Sequence, residues 1–202
     1  FTNRLLYSGF INRFKSKKGK NYPVHFPSFN PNDMITPKKW HRRKFLVLVS
    51  ANKFHQKYFS LKPKYLSEPF DYLKDKLWIQ QSPIRKKAVE GELITKRLEA
   101  IEFFAPKNLL DIYGADWNNL DNLPQKWQKR IGPLLNKTRV ETIPDKIKTI
   151  SGYKFAICFE NTSYPGHVTE KIIDCFVAGV IPIYFGAPDI TKFVPADSFV
   201  DM

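Results

Sequence analysis

Continuous apolar runs of strand length, set apart by segments long enough for helices, constrain this chain most. Residues 45–49 (FLVLV), 155–159 (FAICF) and 180–184 (VIPIY) are such runs, and 109–113 (LLDIY) is a fourth with one acid in it. A strand that is apolar throughout has to be covered on both faces. Strands joined by crossovers of helix length build a parallel sheet with helices on both sides. The predicted fold class is therefore α/β, a Rossmann-like parallel sheet.

The intervening segments fill in the order. Residues 89–105 carry Ile94, Leu98, Ile101 and Ala105 at helical spacing, and Pro106 ends the pattern. Residues 144–150 read as a short helix opened by Pro144. Thr169 to Ala178 reads as a helix, with Val168, Ile172, Cys175 and Phe176 on one stripe and Gly179 as its stop. Residues 115–143 show no single period, and Phe199 with Val200 begins a further strand. The predicted division is a lead-in or interdomain segment, 1–44, and a domain over 45–202. The sequence is expected to be part of a longer chain, cut at one or both of its ends, Phe1 and Met202.

The lead-in segment and residues 53–88 are irregular. Leu5, Leu6, Phe10, Ile11 and Phe14 have helical spacing and run into a basic stretch, 15–20. Residues 22–37 hold four prolines and read as loop, and 53–88 read as a polar, aromatic excursion. Among residues 1–50 eleven Lys and Arg stand against one acid, Asp33, within a formal net charge of +14. Such a field attracts nucleic acid, anionic lipid or phosphorylated small molecules, and it is equally the mark of a solvated basic surface. A helix over 5–14 has two readings, one lying on an anionic membrane surface and one packed on the domain.

Several chemistries find no support. No apolar run reaches the length of a membrane span. Cys158 and Cys175 each sit in an apolar run, and no paired Cys/His spacing suggests zinc. GxSxG, GxxxxGK[ST] and GxGxxG are absent. No nucleic-acid-binding motif accompanies the charge.

In open parallel sheets, ligands lie beyond the carboxyl ends of the strands. Three places qualify: 50–52, 113–116 and the loop 160–169, which reads ENTSYPGHVT. Thr169 is placed to cap the following helix, whose first amides suit a phosphate. Glu170 is ordinary in a first turn, whereas Lys171 opposes the helix dipole there. Arg97 falls roughly 70° from the centre of its helix's apolar stripe, at about 100° per residue, which predicts a boundary residue able to reach a cleft. A snorkelling arginine fits the same position. Lys96 points to solvent.

Residues 153–200 closely resemble the signature of the α-1,3/4-fucosyltransferases, glycosyltransferase family 10. KFAICFENT, VTEKIID, PIYFG and the later SF stand in that order. Weaker likeness reaches back to residue 45. The resemblance implies the donor-binding half of a GT-B glycosyltransferase, an inverting enzyme that moves L-fucose from GDP-fucose to a glycan hydroxyl in an α-1,3-type linkage. Arg97 and Lys171 would neutralise the diphosphate, Glu170 would hold ribose hydroxyls, and Asn161 would contact the sugar or phosphate side. His167 stands where the family commonly has Tyr. The family's general base is a carboxylate of the N-terminal, acceptor-binding domain, and no counterpart stands out among Asp33, Glu68, Asp71 and Asp75. No cofactor and no metal are implied, and no DxD motif stands in the chain. The expected partners are GDP-fucose, a glycan acceptor and an anionic membrane surface, and no nucleic acid. A cytoplasmic, membrane-peripheral location is expected, or the Golgi lumen in a eukaryote. The rivals are a GT-B enzyme with another nucleotide sugar and a basic nucleic-acid-binding module.

Overall fold

The computed structural model describes residues 35–52, 91–121, 123–138, 140–141 and 143–202. The helical pattern at 5–14, the basic run at 15–20 and the excursion at 53–88 lie outside the described residues.

Among the described residues, six strands form one sheet: β1 Lys44–Val49, β2 Leu110–Tyr113, β3 Val140–Glu141, β4 Tyr153–Phe159, β5 Ile181–Phe185 and β6 Val200–Asp201. The order across the sheet is β3-β2-β1-β4-β5-β6. Every pair is parallel, with Leu48 aligned on Ile112 to one side and on Ile157 to the other. This is the doubly wound order, in which the winding reverses between β1 and β4 and opens a crevice at their carboxyl ends. The α/β, Rossmann-like expectation is met.

Alternation along β1 sorts its side chains onto two faces. Leu46 and Leu48 join one core with Leu98, Ile101, Ile112, Trp117 and Ile131. Val47 joins the other with Ile150, Ala156, Ile172, Cys175 and Val194. Each fully buried aliphatic chain contributes about 1.5–3 kcal/mol, which explains why the strand is apolar on both sides.

Helix α1, Ile94–Phe104, covers the first face. It starts later than the periodicity suggests because Gly91 to Leu93 are used elsewhere. Glu92 bridges to Thr162, and its carboxylate accepts from Thr95 N and Oγ1, both at 2.8 Å. Helix α2, Gln125–Leu135, was not expected, since the segment 115–143 shows no single period. It buries only Ile131 and Leu135 and holds Pro133 inside it. On the second face lie α3, Lys146–Ile150, and α4, Glu170–Val177. Asp145 caps α3 by accepting from Lys148 N at 2.9 Å, and Gly179 follows α4 with φ +64°. The stripe on α4 differs from the predicted one: Asp174 and Val177 are buried, and Phe176 is half-buried. Lys146 reaches Asp174 at 2.6 Å and so ties α3 to α4. Burial pushes the Asp174 carboxyl up, and Lys146 works against that shift.

Candidate functional site at the sheet reversal

The carboxyl ends of β1 and β4 are held together by one side chain, Arg97. Its Nη1 donates to Ser50 Oγ at 2.9 Å. Its Nη2 donates to the Phe159 carbonyl at 2.6 Å and to Asn161 Oδ1 at 2.7 Å. Arg97 is only 2% exposed, which corrects the expectation of a boundary residue. The periodicity of α1 alone places it at the edge of the stripe, but the ends of β1 and β4 close over it. Lys96 is exposed and pairs with Glu99, as expected. Burial pushes the Arg97 pKa down, and the carboxylates of Glu160 and Glu92 oppose that shift. An arginine stays charged in proteins, so a full positive charge sits at the reversal point.

The β1 end is fixed from below by the turn after β2. Trp117 Nε1 donates to the Ser50 carbonyl at 2.6 Å. Gly114 has φ +137°, and a Cβ there would lie 2.3 Å from the same carbonyl oxygen, so no other residue fits. Asn52 is buried and donates to the Asp116 and Asn119 carbonyls.

The second cation stands at the start of α4. Lys171 Nζ lies 2.7 Å from Glu160 Oε2 and 2.9 Å from Thr169 Oγ1. Glu160 follows β4 directly and is fully buried. It also accepts from Thr169 N at 2.8 Å and from Thr169 Oγ1. Thr169 was expected to cap α4 with its side chain, and it does not. Its hydroxyl and amide go instead to the buried carboxylate. A negative group inside the protein therefore meets the positive end of the helix. Sequence reasoning missed Glu160; the signal for it is an acid placed directly after a strand of buried residues, where a charge needs partners.

The loop between β4 and α4 is pinned on both sides. Leu93 N donates to the Asn161 carbonyl at 3.1 Å, and Ser163 N to the Gly91 carbonyl at 2.5 Å. Ser163 Oγ donates to the Gly186 carbonyl at 2.8 Å, and Gly166 N to Asp189 Oδ1 at 2.7 Å. Asn161 is exposed at the rim, so its amide is available beside the charge it helps to hold.

Of the five residues selected from sequence, the structure joins Arg97 directly to Asn161, and it joins Lys171 to Glu160, the residue that precedes Asn161 in the chain. Glu170 is half-buried in the first turn of α4 and makes no hydrogen bond or ion pair among the described residues. His167 is half-buried, with its ring centroid 6.1 Å from that of Tyr164. Among the described residues, no hydrogen bond joins either side chain to that of Arg97 or Lys171. The arrangement sets a buried cation, a partly exposed one, one exposed amide and a helix start at a crevice mouth. That chemistry suits an anionic ligand carrying hydroxyl groups. Among the described residues, no group of three or more His, Cys, Asp or Glu side chains is placed to hold a metal ion. No helix among them is long and apolar enough to cross a membrane.

The model of glycosyltransferase family 10 (fucosyltransferase), C-terminal part, matches residues 95–202. An α-(1,3)-fucosyltransferase of Helicobacter pylori is 42% identical over 71 residues, 35% of this chain and 15% of that protein. The α-(1,3)-fucosyltransferase B of Drosophila melanogaster is 40% identical over 86 residues, 43% of this chain and 18% of that protein. The chain thus spans less than a fifth of these relatives. A crystal structure of an α1,3-fucosyltransferase with GDP-fucose aligns at 24% identity and a TM-score of 0.44, covering 81% of this chain and 31% of that one.

Proposed function

This chain belongs to glycosyltransferase family 10, the fucosyltransferases, and from that premise we propose that it supplies the donor site for transfer of L-fucose from GDP-fucose to a glycan hydroxyl. The observation that carries this reading is the placement of Arg97 and Lys171, from two different helices, at the carboxyl ends of β1 and β4. That is where a doubly wound sheet takes a nucleotide.

The proposed reaction is a single displacement with inversion. The acceptor oxygen attacks C1 of fucose, the bond from C1 to the β-phosphate oxygen breaks, and GDP leaves with the electron pair. The sugar passes through an oxocarbenium-like state. Negative charge grows on the diphosphate as it departs, and fixed cations in a crevice stabilise that charge. Lys171 meets the phosphates with an ammonium proton. Arg97 is buried and already donates to three protein acceptors, so it acts chiefly through its charge and by presenting Asn161. Glu170, which makes no hydrogen bond or ion pair among the described residues, is left to hold ribose hydroxyls. His167 offers a flat ring with a polar edge beside the phosphate-binding turn. The proton of the acceptor hydroxyl goes to a carboxylate base of an acceptor-binding domain, outside the five residues named here.

Titration calorimetry with GDP and UDP tests the reading. GDP is expected to bind at least about tenfold more tightly, a difference of about 1.4 kcal/mol. Equal binding would favour a different nucleotide sugar, and binding of neither would remove the donor site from this chain.

A further inference from the structure

Resting on the reading of Lys171 as a phosphate cation, we propose that Glu160 is a positioning residue of the donor site, whose buried carboxylate fixes the Lys171 ammonium where the diphosphate is received.

A lysine is a compact charge on a flexible four-carbon stem, and on its own it points in many directions. Lys171 is held at two points, Glu160 Oε2 and Thr169 Oγ1. These contacts use two of its three ammonium protons and leave the third unassigned. Its side chain keeps 20% of its exposure, whereas that of Glu160 keeps none. The free proton therefore belongs to the exposed side of the pair. The carboxylate also explains how a lysine is tolerated in a first turn, where its charge opposes the helix dipole.

The slot for Glu160 is built around it. A Cβ on Gly186 would lie 2.6 Å from Glu160 Cγ, so only glycine leaves room for the stem. Thr169 N, Thr169 Oγ1 and Lys171 Nζ all point at the carboxylate. Arg97 feels the same charge. One buried anion thus pairs with Lys171 and acts on the charge of Arg97, and the three groups together carry a single excess positive charge.

The sign of one substitution separates positioning from simple electrostatics. Glu160→Gln keeps the shape of the side chain and an acceptor for Thr169 N, and it removes a negative charge beside the phosphates. By charge alone, an anionic ligand would bind more tightly to the variant. If Glu160 positions Lys171, an anionic ligand binds less tightly. Calorimetry of the 202-residue chain with GDP and with guanosine, which lacks phosphates, reads the difference. The expected result is GDP about tenfold weaker and guanosine within about twofold of the wild type. Unchanged or tighter GDP binding overturns the proposal. Equal weakening of both ligands also overturns it, because a merely structural carboxylate would affect both alike. Thr169→Val, which removes only the hydroxyl that Lys171 and Glu160 share, is expected to weaken GDP about threefold and leave guanosine alone. Should Glu160→Gln fail to fold, an unchanged ratio of GDP to guanosine affinity in Thr169→Val overturns the proposal. A wild-type chain that binds neither ligand overturns the donor-site reading itself, and this proposal with it.

Discussion

Arg97 Nη2 lies 2.7 Å from Asn161 Oδ1, although 64 positions separate the two residues in the chain. The contact joins the first turns of α1 to the loop after β4, across the point where the sheet reverses its winding. A buried guanidinium in this place does two things. It closes the ends of β1 and β4 onto each other, and it brings a permanent charge to the crevice.

Arg97→Ala would leave Ser50 Oγ, the Phe159 carbonyl and Asn161 Oδ1 without their donor. The Phe159 carbonyl is buried, and a buried polar group stripped of its partner is costly, so the chain should lose about 1–3 kcal/mol of stability. Lys96→Ala, which breaks only an exposed pair with Glu99, should change stability by less than about 0.5 kcal/mol. Urea unfolding midpoints of the two variants check this. Similar midpoints would show that Arg97 is not a closing residue.

Lys171→Ala should act on binding. Loss of a charged hydrogen bond to the diphosphate should weaken GDP by about 1.5–3 kcal/mol, with Lys96→Ala close to the wild type. An equal loss from both lysines would mean that overall charge, and not a site, is being read.

Gly114→Ala tests how the β1 end is held. The backbone there has φ +137°, and the added methyl would meet the Ser50 carbonyl oxygen at 2.3 Å. The substitution should cost about 1–3 kcal/mol. It should also weaken GDP, because Ser50 holds both Arg97 and Trp117. Gly166→Ala has φ +76° and nothing within 4 Å, so it should cost less. Thermal unfolding of both variants, alongside GDP titration, distinguishes strain from collision.

Alkaline pH should weaken the fold through Tyr153. Burial pushes its pKa well up from 10.0, aided by its bonds to Asp111 and Tyr113. The unfolded chain ionises this tyrosine from its ordinary value upward, while the folded chain keeps it neutral. Stability is therefore intact below about pH 10 and falls as pH rises beyond it. Tyr153→Phe should flatten part of that fall. Buried Tyr184 is shifted in the same direction for the same reason and leaves a remainder. Thermal midpoints measured across this range provide the check. An identical slope in the variant would place the alkaline sensitivity elsewhere.

The sheet was legible where a strand is buried on both faces, as at 45–49 and 155–159, because such strands must be apolar throughout. Helix α2 was not, since it buries only Ile131 and Leu135 and carries Gly132 and Pro133, which read as breakers. β3 is two residues long and too short for any period. At the site, Lys171 stood out because it opposes the dipole, and the loop stood out by composition. The depth of Arg97 was invisible because helix periodicity describes one element, whereas its burial comes from two strand ends. Thr169 looked like a cap because the sequence shows the helix start but not the carboxylate that competes for its hydroxyl.

Backbone amide shifts of the 202-residue chain during titration with GDP test the location of the donor site most directly. The account predicts that the largest changes fall on Ser50, Asn161, Thr169 and Lys171, at the carboxyl ends of β1 and β4. Trp40 and Phe45, exposed at the opposite end of the sheet, should stay still. Changes centred on Trp40, Arg42 and Lys154, or spread across the basic surface, would contradict it.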